Sequence, residues 1–582
     1  MIMNKWILFI TCLLTGVLAV SSCNKILDKP PLDQIPDDQL KFTATEMKLY
    51  SNQFYPAFPG WFPGAYTGGI FWLDNASDNL VHGNYNYSAQ LSGTGTVPPS
   101  GGGWDWGNIR AVNYFLANYQ TSTDDPAQTN TYVGEIYFWR AWFYFSLLKQ
   151  FGDLPWYNRP LTTEDMEALQ APRVKRNIIV DSILQDLDQA VALLAAPGQA
   201  EPLRINRGAA LAFQSRVALY EGTWEKYHNG TVFGVEGADY TKYLRKAADA
   251  ALKLMNAGYY SISPITDDPR FGYWRLFNQK DLSNNPEMIL WKKFDKALGL
   301  THFGQNMMAY GGGNTGLSKQ LVDDYLCTDG KPIAISSLYR GDNTLQLQIT
   351  NRDPRLAQTF LLPGYPRIIT NGDTTGRFIL PDINLLGDGR CTTGFEIFKG
   401  IAPDDADGTG SSTASIVFRY AEVLLNYAEA KAELGEGTQQ VLDQTINLLR
   451  DRVSMPHLSA NVGFTDPHWE FPELSPLLNE VRRERRVELA LEGYRFDDLM
   501  RWSADQLIRR PLYGAKYQQF VGKPFDPPLN NIAVSADGYI FPLKNTPASG
   551  GWQFNPGRDY LLPLPSNELV LNKNLKQNPG WK

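Results

Sequence analysis

Cysteine and histidine are both scarce, four and five in 582 residues. Cys12 and Cys23 fall within or just after an N-terminal apolar stretch, which leaves Cys327 and Cys391 for the body of the chain. Without a CxxC pair there is no zinc framework. In an oxidising compartment Cys327 and Cys391 could form a disulfide. Two buried free thiols fit equally well, because sequence does not say whether their Cα atoms approach within ~7 Å. His82, His228, His302, His457 and His468 are scattered, with neither HExxH spacing nor a GxSxG nucleophile turn to work with. Residues 311–316 spell GxGxxG, yet no clear strand precedes them and Leu317-Ser318 opens no obvious phosphate-binding helix, so they read as a flexible loop. Asp404, Asp405 and Asp407 lie in a Gly/Ser/Thr-rich run and read as a solvated loop, adventitious calcium being the lesser alternative. No metal site, no cofactor and no catalytic constellation is expected. Basic charge is not in surplus either. Against 61 Asp and Glu stand 54 Lys and Arg, a net of −7, which disfavours nucleic acid or a generic anionic membrane surface as partner.

Long apolar runs are absent but for residues 6–20, which follow Lys5 and fall short of the roughly 20 residues that span a bilayer. That pattern reads as a secretory signal. It closes on Val20-Ser21-Ser22-Cys23, a small-small-Cys sequence that looks like a bacterial lipobox, in which Cys23 would be lipidated and the chain cut before it. An ordinary cleaved signal or an uncleaved anchor leaves a cysteine two serines beyond the apolar core unexplained. The expected organisation is a signal peptide over 1–22, a lipidated polar and proline-rich tether over 23–42, and a single folded domain over 43–582.

Aromatics are plentiful, 13% of the chain, enough for a large core and a supply of flat amphipathic rings besides. Apolar residues recur at mixed three- and four-residue spacing over 109–119, 132–151, 177–196, 206–222, 240–257, 416–435, 439–452 and 477–502, which predicts a mostly α-helical fold with minor β. Gly152, Gly258 and Gly435 stand where helix C-termini want them. Small residues recur beside arginine, as in Trp139-Arg140-Ala141 and Ser215-Arg216-Val217-Ala218. They allow close helix approach, so TPR-like helix-turn-helix pairs are expected, though no strict repeat period is visible. Long irregular stretches near 55–105, 260–315 and 330–415 separate the helices, and loops of that size on a helical frame commonly carry function.

Five segments then fall into a known order. They are Trp104-Asp105-Trp106-Gly107-Asn108-Ile109-Arg110, Gly134-Glu135 through Trp139-Arg140-Ala141 to Phe151-Gly152-Asp153-Leu154-Pro155, and Phe418-Arg419-Tyr420-Ala421-Glu422-Val423-Leu424-Leu425-Asn426-Tyr427-Ala428-Glu429-Ala430. The fourth runs from Arg482-Arg483-Glu484-Arg485-Arg486 through Glu492-Gly493-Tyr494-Arg495-Phe496-Asp497 to Arg501-Trp502, and the last is Leu562-Pro563-Leu564-Pro565 with Gln577-Asn578-Pro579-Gly580-Trp581. Together these resemble the signatures of the SusD/RagB family of Bacteroidota outer-membrane lipoproteins over nearly the whole chain after residue 23. The resemblance implies a SusD-like fold and a non-enzymatic glycan-binding lipoprotein. Such a protein sits on the cell surface, anchored in the outer membrane, and passes oligo- or polysaccharide to a SusC-like TonB-dependent transporter. Two departures stay open: some members of the family bind oligopeptides, and Asn24-Lys25-Ile26-Leu27-Asp28-Lys29 has one acid between two lysines where surface export goes with an acidic run. A carbohydrate-active enzyme is the remoter alternative.

The signature acids Glu484, Glu488 and Glu492, with Arg485 and Arg495 three positions from an acid, have the spacing of an ion-pair network rather than a catalytic pair. The binding surface is expected where aromatics crowd a loop region. Residues 50–106 hold 23% aromatics against 13% overall, with Asp74, Asn75, Asp78, Asn84 and Asn86 as hydrogen-bonding partners for hydroxyls. Trp104 and Trp106 belong to the fold signature. Trp61, Tyr66, Trp72, Tyr85 and Tyr87, with Asp74 and Asn75, are the candidate ligand residues there. Tyr273, Trp274, Trp291, His302 and Tyr310 form a second supply in the middle loops.

Overall fold

Capping residues set out a ladder of helices through the first half of the chain in the computed structural model, which describes residues 42–61, 69–266, 268–384, 387–406, 410–523, 529 and 531–582. Cys23, the tether up to residue 41 and Tyr66 lie outside the described residues, as do the side chains of Phe71, Tyr310 and Asp388. The helices are α1 (Ala44–Asn52), α2 (Gly107–Asn118), α3 (Pro126–Phe151), α4 (Arg176–Leu193), α5 (Arg207–Tyr227) and α6 (Tyr240–Ala257). Asp125 caps α3 by accepting from Ala127 N with Pro126 in the first turn, Asn206 caps α5 from Ala209 N, and Gly258 closes α6 in the left-handed conformation. Each of α4, α5 and α6 packs on its predecessor. Gly222 shows why small residues stud α5: a Cβ there would lie 2.8 Å from Leu244 Cδ2 of α6. The helix-pair expectation therefore holds, through close approach rather than repeated sequence.

Strands are few and short. β1 (Met288–Lys292) pairs antiparallel with β4 (Ser415–Arg419), and β2 (Pro366–Thr370) forms a hairpin with β3 (Asp373–Arg377). After β4 come α7 (Tyr420–Glu433), α8 (Ile446–Arg452), α9 (Pro476–Glu488) and α10 (Arg495–Arg501). α7 packs on α5, α6 and α9, joining the late helices to the early ladder.

Three helices predicted as continuous are broken. Residues 416–419 are strand, because Arg419 turns into the interior and its neighbours pair with β1. The run 439–452 splits at Thr445, whose hydroxyl bonds back to the Val441 carbonyl. The run 477–502 stops at Glu488: Leu491 and Gly493 have φ of 65° and 80°, and the Leu491 amide donates to Asp74 Oδ2 at 2.8 Å instead of to a helix carbonyl.

Every residue of α9 from Leu478 to Glu488 is buried, charged ones included. Glu488 receives Arg419 Nη1 at 2.7 Å and Arg452 Nη2 at 2.5 Å on Oε1, and Arg355 Nη1 at 2.9 Å on Oε2. Glu287 shares Arg419 and Arg452, and Glu492 takes Arg419 and Lys399. Arg485 reaches Asp498, and Arg486 and Arg495 reach Asp78 more than four hundred residues away in sequence. The expected ion network is real, but most of its pairs join different elements rather than successive helical turns. Burial alone would raise the Glu488 carboxyl; the charges of Arg452, Arg419 and Arg355 win and hold it well below the carboxylate range.

Glu488→Ala should leave three guanidinium groups underpaired in the interior and cost about 3–5 kcal/mol of stability, read as a large fall in melting temperature or folded yield. Wild-type-like melting of that variant would remove the network from the centre of the fold. Acid gives a second test. Burial would raise Glu429 and Glu470 as well, but Arg501, Arg485 and Arg482 around the first and Arg495, Arg486 and Arg510 around the second bring both down to about 2. Folded pKa values below the unfolded value near ~4.3 mean stability that is present above that pH and lost as the pH falls through the folded values. Melting temperature should therefore drop steeply between about pH 4.5 and pH 2. Asp74, which burial raises to about 6, acts with the opposite sign and favours the acid side. A flat acid profile would contradict the ion network.

Candidate functional site

The 3-10 helix Gly69–Ala76 and the turn after it run beside the glycine-rich segment 311–316 and residues 389–395. Val81 and Gly83 donate their N–H groups to the carbonyls of Gly316 and Asn314, each at 2.9 Å. Gly312 donates to Gly389 at 3.1 Å and Thr392 to Thr315 at 3.2 Å. Absent side chains permit this closeness. A Cβ on Gly312 would lie 2.6 Å from the Cys391 backbone, and one on Gly316 2.2 Å from Thr393 Oγ1. The segment that spells a nucleotide-binding turn is thus a strut paired on both sides, a correction to its reading as a free loop.

Three distant stretches bring their side chains together across that strut. Trp72 is half-buried and edge-on to His82 at 6.2 Å, and His82 lies 4.4 Å from the exposed ring of Tyr87. The turn is built by its own amides: Asn84 N donates to His82 Nδ1 at 3.1 Å and Asn86 N to Asn84 Oδ1 at 3.0 Å. Beneath lies Asn75, fully buried, whose Oδ1 accepts the Thr315 hydroxyl at 2.5 Å. Its Nδ2 completes no hydrogen bond. Burial pushes the Tyr87 phenol up, and the nearby Asn75 amide draws it part of the way back. On the other side Asn314 accepts from Arg390 Nη2 at 3.1 Å. Trp72 Nε1 and Arg390 Nε are also buried donors without an acceptor. A rim of exposed amides, a half-exposed indole and a phenol above unsatisfied donors is a surface that accepts flat, hydroxyl-bearing ligands.

The predicted residues divide sharply. Trp72, Asn75 and Tyr87 come together in this patch. Tyr85 is half-buried against the main core. Asp74 is fully buried, its Oδ2 accepting from Asn79 Nδ2 and from Leu491 N, so it anchors the loop rather than facing solvent. Trp61 is a correction: it is buried, stacked on His302 at 4.9 Å with Nε1 donating to the Ala414 carbonyl, and offers no platform. Trp274 is buried and stacked on Phe398 at 4.6 Å, and Tyr273 donates its hydroxyl to the Glu488 carbonyl inside the ion network. His302 and Trp291 are buried too. In each case ring area won over loop position, since an indole or phenol loses most by staying in water. Tyr66 and the Tyr310 side chain lie outside the described residues. Cys327 and Cys391 are both buried free thiols, which decides between the two readings of that pair. Sequence reasoning missed Arg390 and Asn314. Neither belongs to an aromatic cluster, and only the backbone pairing of Gly83 with Asn314 brings them to Trp72.

A cavity of about 670 Å³ opens at the start of α2, lined by Trp106, Ile109, Tyr157, Met166, Leu571 and Leu575. Its wall is mainly apolar, with Asn113, Gln170, Asn572, Arg110 and Arg159 among its polar members. Among the described residues no group of three His, Cys, Asp or Glu could hold a metal ion, and no helix is long and apolar enough to cross a membrane.

A mostly helical scaffold of packed pairs with few short strands and long irregular loops is the architecture of the SusD-like solved structures. The sequence comparisons agree. A family model described as the SusD family matches residues 275–581, and one described as starch-binding associating with outer membrane matches 73–219. The chain belongs to the SusD family. It is similar to SusD-like protein P2 of Formosa agariphila, 23% identical over 81% of this chain and 78% of that protein, and to SusD-like protein P38 of the same organism, 23% identical over 89% and 95%. Among solved structures, a SusD-like carbohydrate binding protein of Bacteroides fragilis superposes with a TM-score of 0.69 at 22% identity, covering 92% of this chain and 99% of that one. At that identity the likeness establishes the fold alone.

Proposed function

We propose that this protein binds glycans through the patch formed by Trp72, Tyr87, Asn75, Asn84, Asn314 and Arg390, without chemical turnover. It works at the cell surface as the capturing partner of a SusC-like TonB-dependent transporter, tethered to the outer membrane through lipid on Cys23. The observation that carries the reading is the convergence of a half-exposed indole, an exposed phenol and unsatisfied amide and indole donors from three separate stretches of chain. Sugars present the matching chemistry, an apolar C–H face and a rim of hydroxyls. The description of the Bacteroides fragilis relative as carbohydrate binding, and of the 73–219 family model as starch-binding and associated with the outer membrane, support it.

Affinity electrophoresis against a polysaccharide panel, followed by calorimetric titration with the best ligand, tests the site. Trp72→Ala and Tyr87→Ala should each lose about 1–3 kcal/mol of binding, the scale of an aromatic anchor, while their melting curves stay close to wild type. Trp274→Ala, which empties a stacked interior site, should do the reverse and lose about 3–5 kcal/mol of stability. Normal glycan binding by well-folded Trp72→Ala and Tyr87→Ala proteins would move the site elsewhere, and retention by oligopeptides alone would replace the ligand class. Cys23→Ala tests the anchor. In cells lacking the transporter that variant should leave the outer-membrane fraction, and its persistence there would sink the lipoprotein reading.

A further inference from the structure

Stacking and hydroxyl recognition leave one member of the patch unexplained. Arg390 is a half-buried cation whose side chain, among the described residues, donates a hydrogen bond to the amide oxygen of Asn314 and pairs with no carboxylate. In the ion network of α9 the guanidinium groups of Arg355, Arg419 and Arg452 each meet carboxylates at 2.9 Å or less. Leaving a cation partly desolvated with few partners costs stability, a cost that an anionic group on a ligand would offset. Burial draws Arg390 below the usual arginine value, against a smaller opposing pull from the Cys391 thiol. Among the described residues Arg390 Nε is buried without an acceptor, as is Trp72 Nε1, while Asn75 Nδ2 has only the Tyr87 oxygen to turn to.

The position is made for this side chain. Gly83 faces the guanidinium, and a Cβ there would stand 2.0 Å from Arg390 Nη2 and 2.1 Å from Asn314 Oδ1. Gly83 is not among the residues of positive φ, so its backbone would accept alanine. Glycine is needed at this point for the space the guanidinium fills, not for a turn.

We propose that the patch selects acidic glycans, a carboxylate or sulfate ester on the sugar seating against Arg390 while the ring lies along Trp72 and Tyr87. This rests on the glycan reading and names its ligand class. Anionic groups suit a guanidinium because charge-assisted hydrogen bonds are shorter and about twice as strong as neutral ones. With a net charge of −7 the chain repels polyanions as a whole, so retention of one points to a local site.

The test is affinity electrophoresis in gels containing polygalacturonate, which supplies carboxylates, or carrageenan, which supplies sulfate esters, beside neutral amylopectin and galactomannan. At least one acidic polymer should retard the protein, and added salt should weaken the retention. Arg390→Gln should lose tenfold or more in affinity for that polymer, Arg390→Lys should keep part of it, and Gly83→Ala should lose affinity by displacing the guanidinium. Melting curves check that all three are folded, and galacturonate should compete with polygalacturonate where galactose does not. Retardation by neutral polymers alone, or acidic retardation untouched by Arg390→Gln, would overturn the acidic-sugar assignment and leave glycan binding standing. Retardation by none of the four, with none by a wider panel, would overturn both.

Discussion

The whole arrangement depends on charge that is buried and satisfied. α9 carries acids and arginines through the interior, and each ion would be prohibitive there alone, since desolvation of a single charge costs several kcal/mol. Partners drawn from Glu287 just before β1, from β4, α8 and α10, and from the loop at 353–355 make the burial tolerable. Such a cluster cannot be half built. Its members stabilise one another only when all the elements arrive, which ties the early helix ladder to the later segments through α7 and β4.

That network also places the candidate site. Asp78 is fully buried among Arg486, Arg495 and Arg510, and Arg486 Nε donates to Asn79 Oδ1 at 2.9 Å. Asp74 holds the amide of Leu491 just beyond α9. The turn that carries Trp72, Asn75 and Tyr87 is thereby moored at both ends of a short stretch to a helix pair four hundred residues away. A ligand site on an irregular loop gains from such mooring, because rigid support limits the conformational freedom that binding must otherwise remove. Glycines then bring in the other wall: Gly83, Gly312 and Gly316 give up their side chains so that three backbones can lie close and Asn314 and Arg390 can reach the aromatic edge.

Aromatic excess proved an ambiguous guide. Phe54, Phe58, Trp61 and Trp104 come from the same rich region as Trp72 and Tyr87, yet all four are buried. A large ring in a loop is as useful for filling the space beneath that loop as for meeting a ligand, and composition cannot separate the two.

The sequence by itself determined the helices, because apolar spacing and capping residues act over a few neighbours, and the order of five signature segments was enough to indicate the family. It also carried the ion-pair character of α9, since acids and arginines at three- and four-residue spacing suit ion-pair contacts along and between helices. Two of the three broken helical runs and most of the aromatic assignments were decided by contacts across more than a hundred residues: Asp74 taking the Leu491 amide, β1 pairing with the start of the 416–435 run, and Phe398 stacking on Trp274. Arg390 belongs wholly to the tertiary structure. Nothing near it in the chain marks it as a site residue, and its place follows from a backbone pairing that sets Gly83 against it, leaving a cation that no acid among the described residues meets.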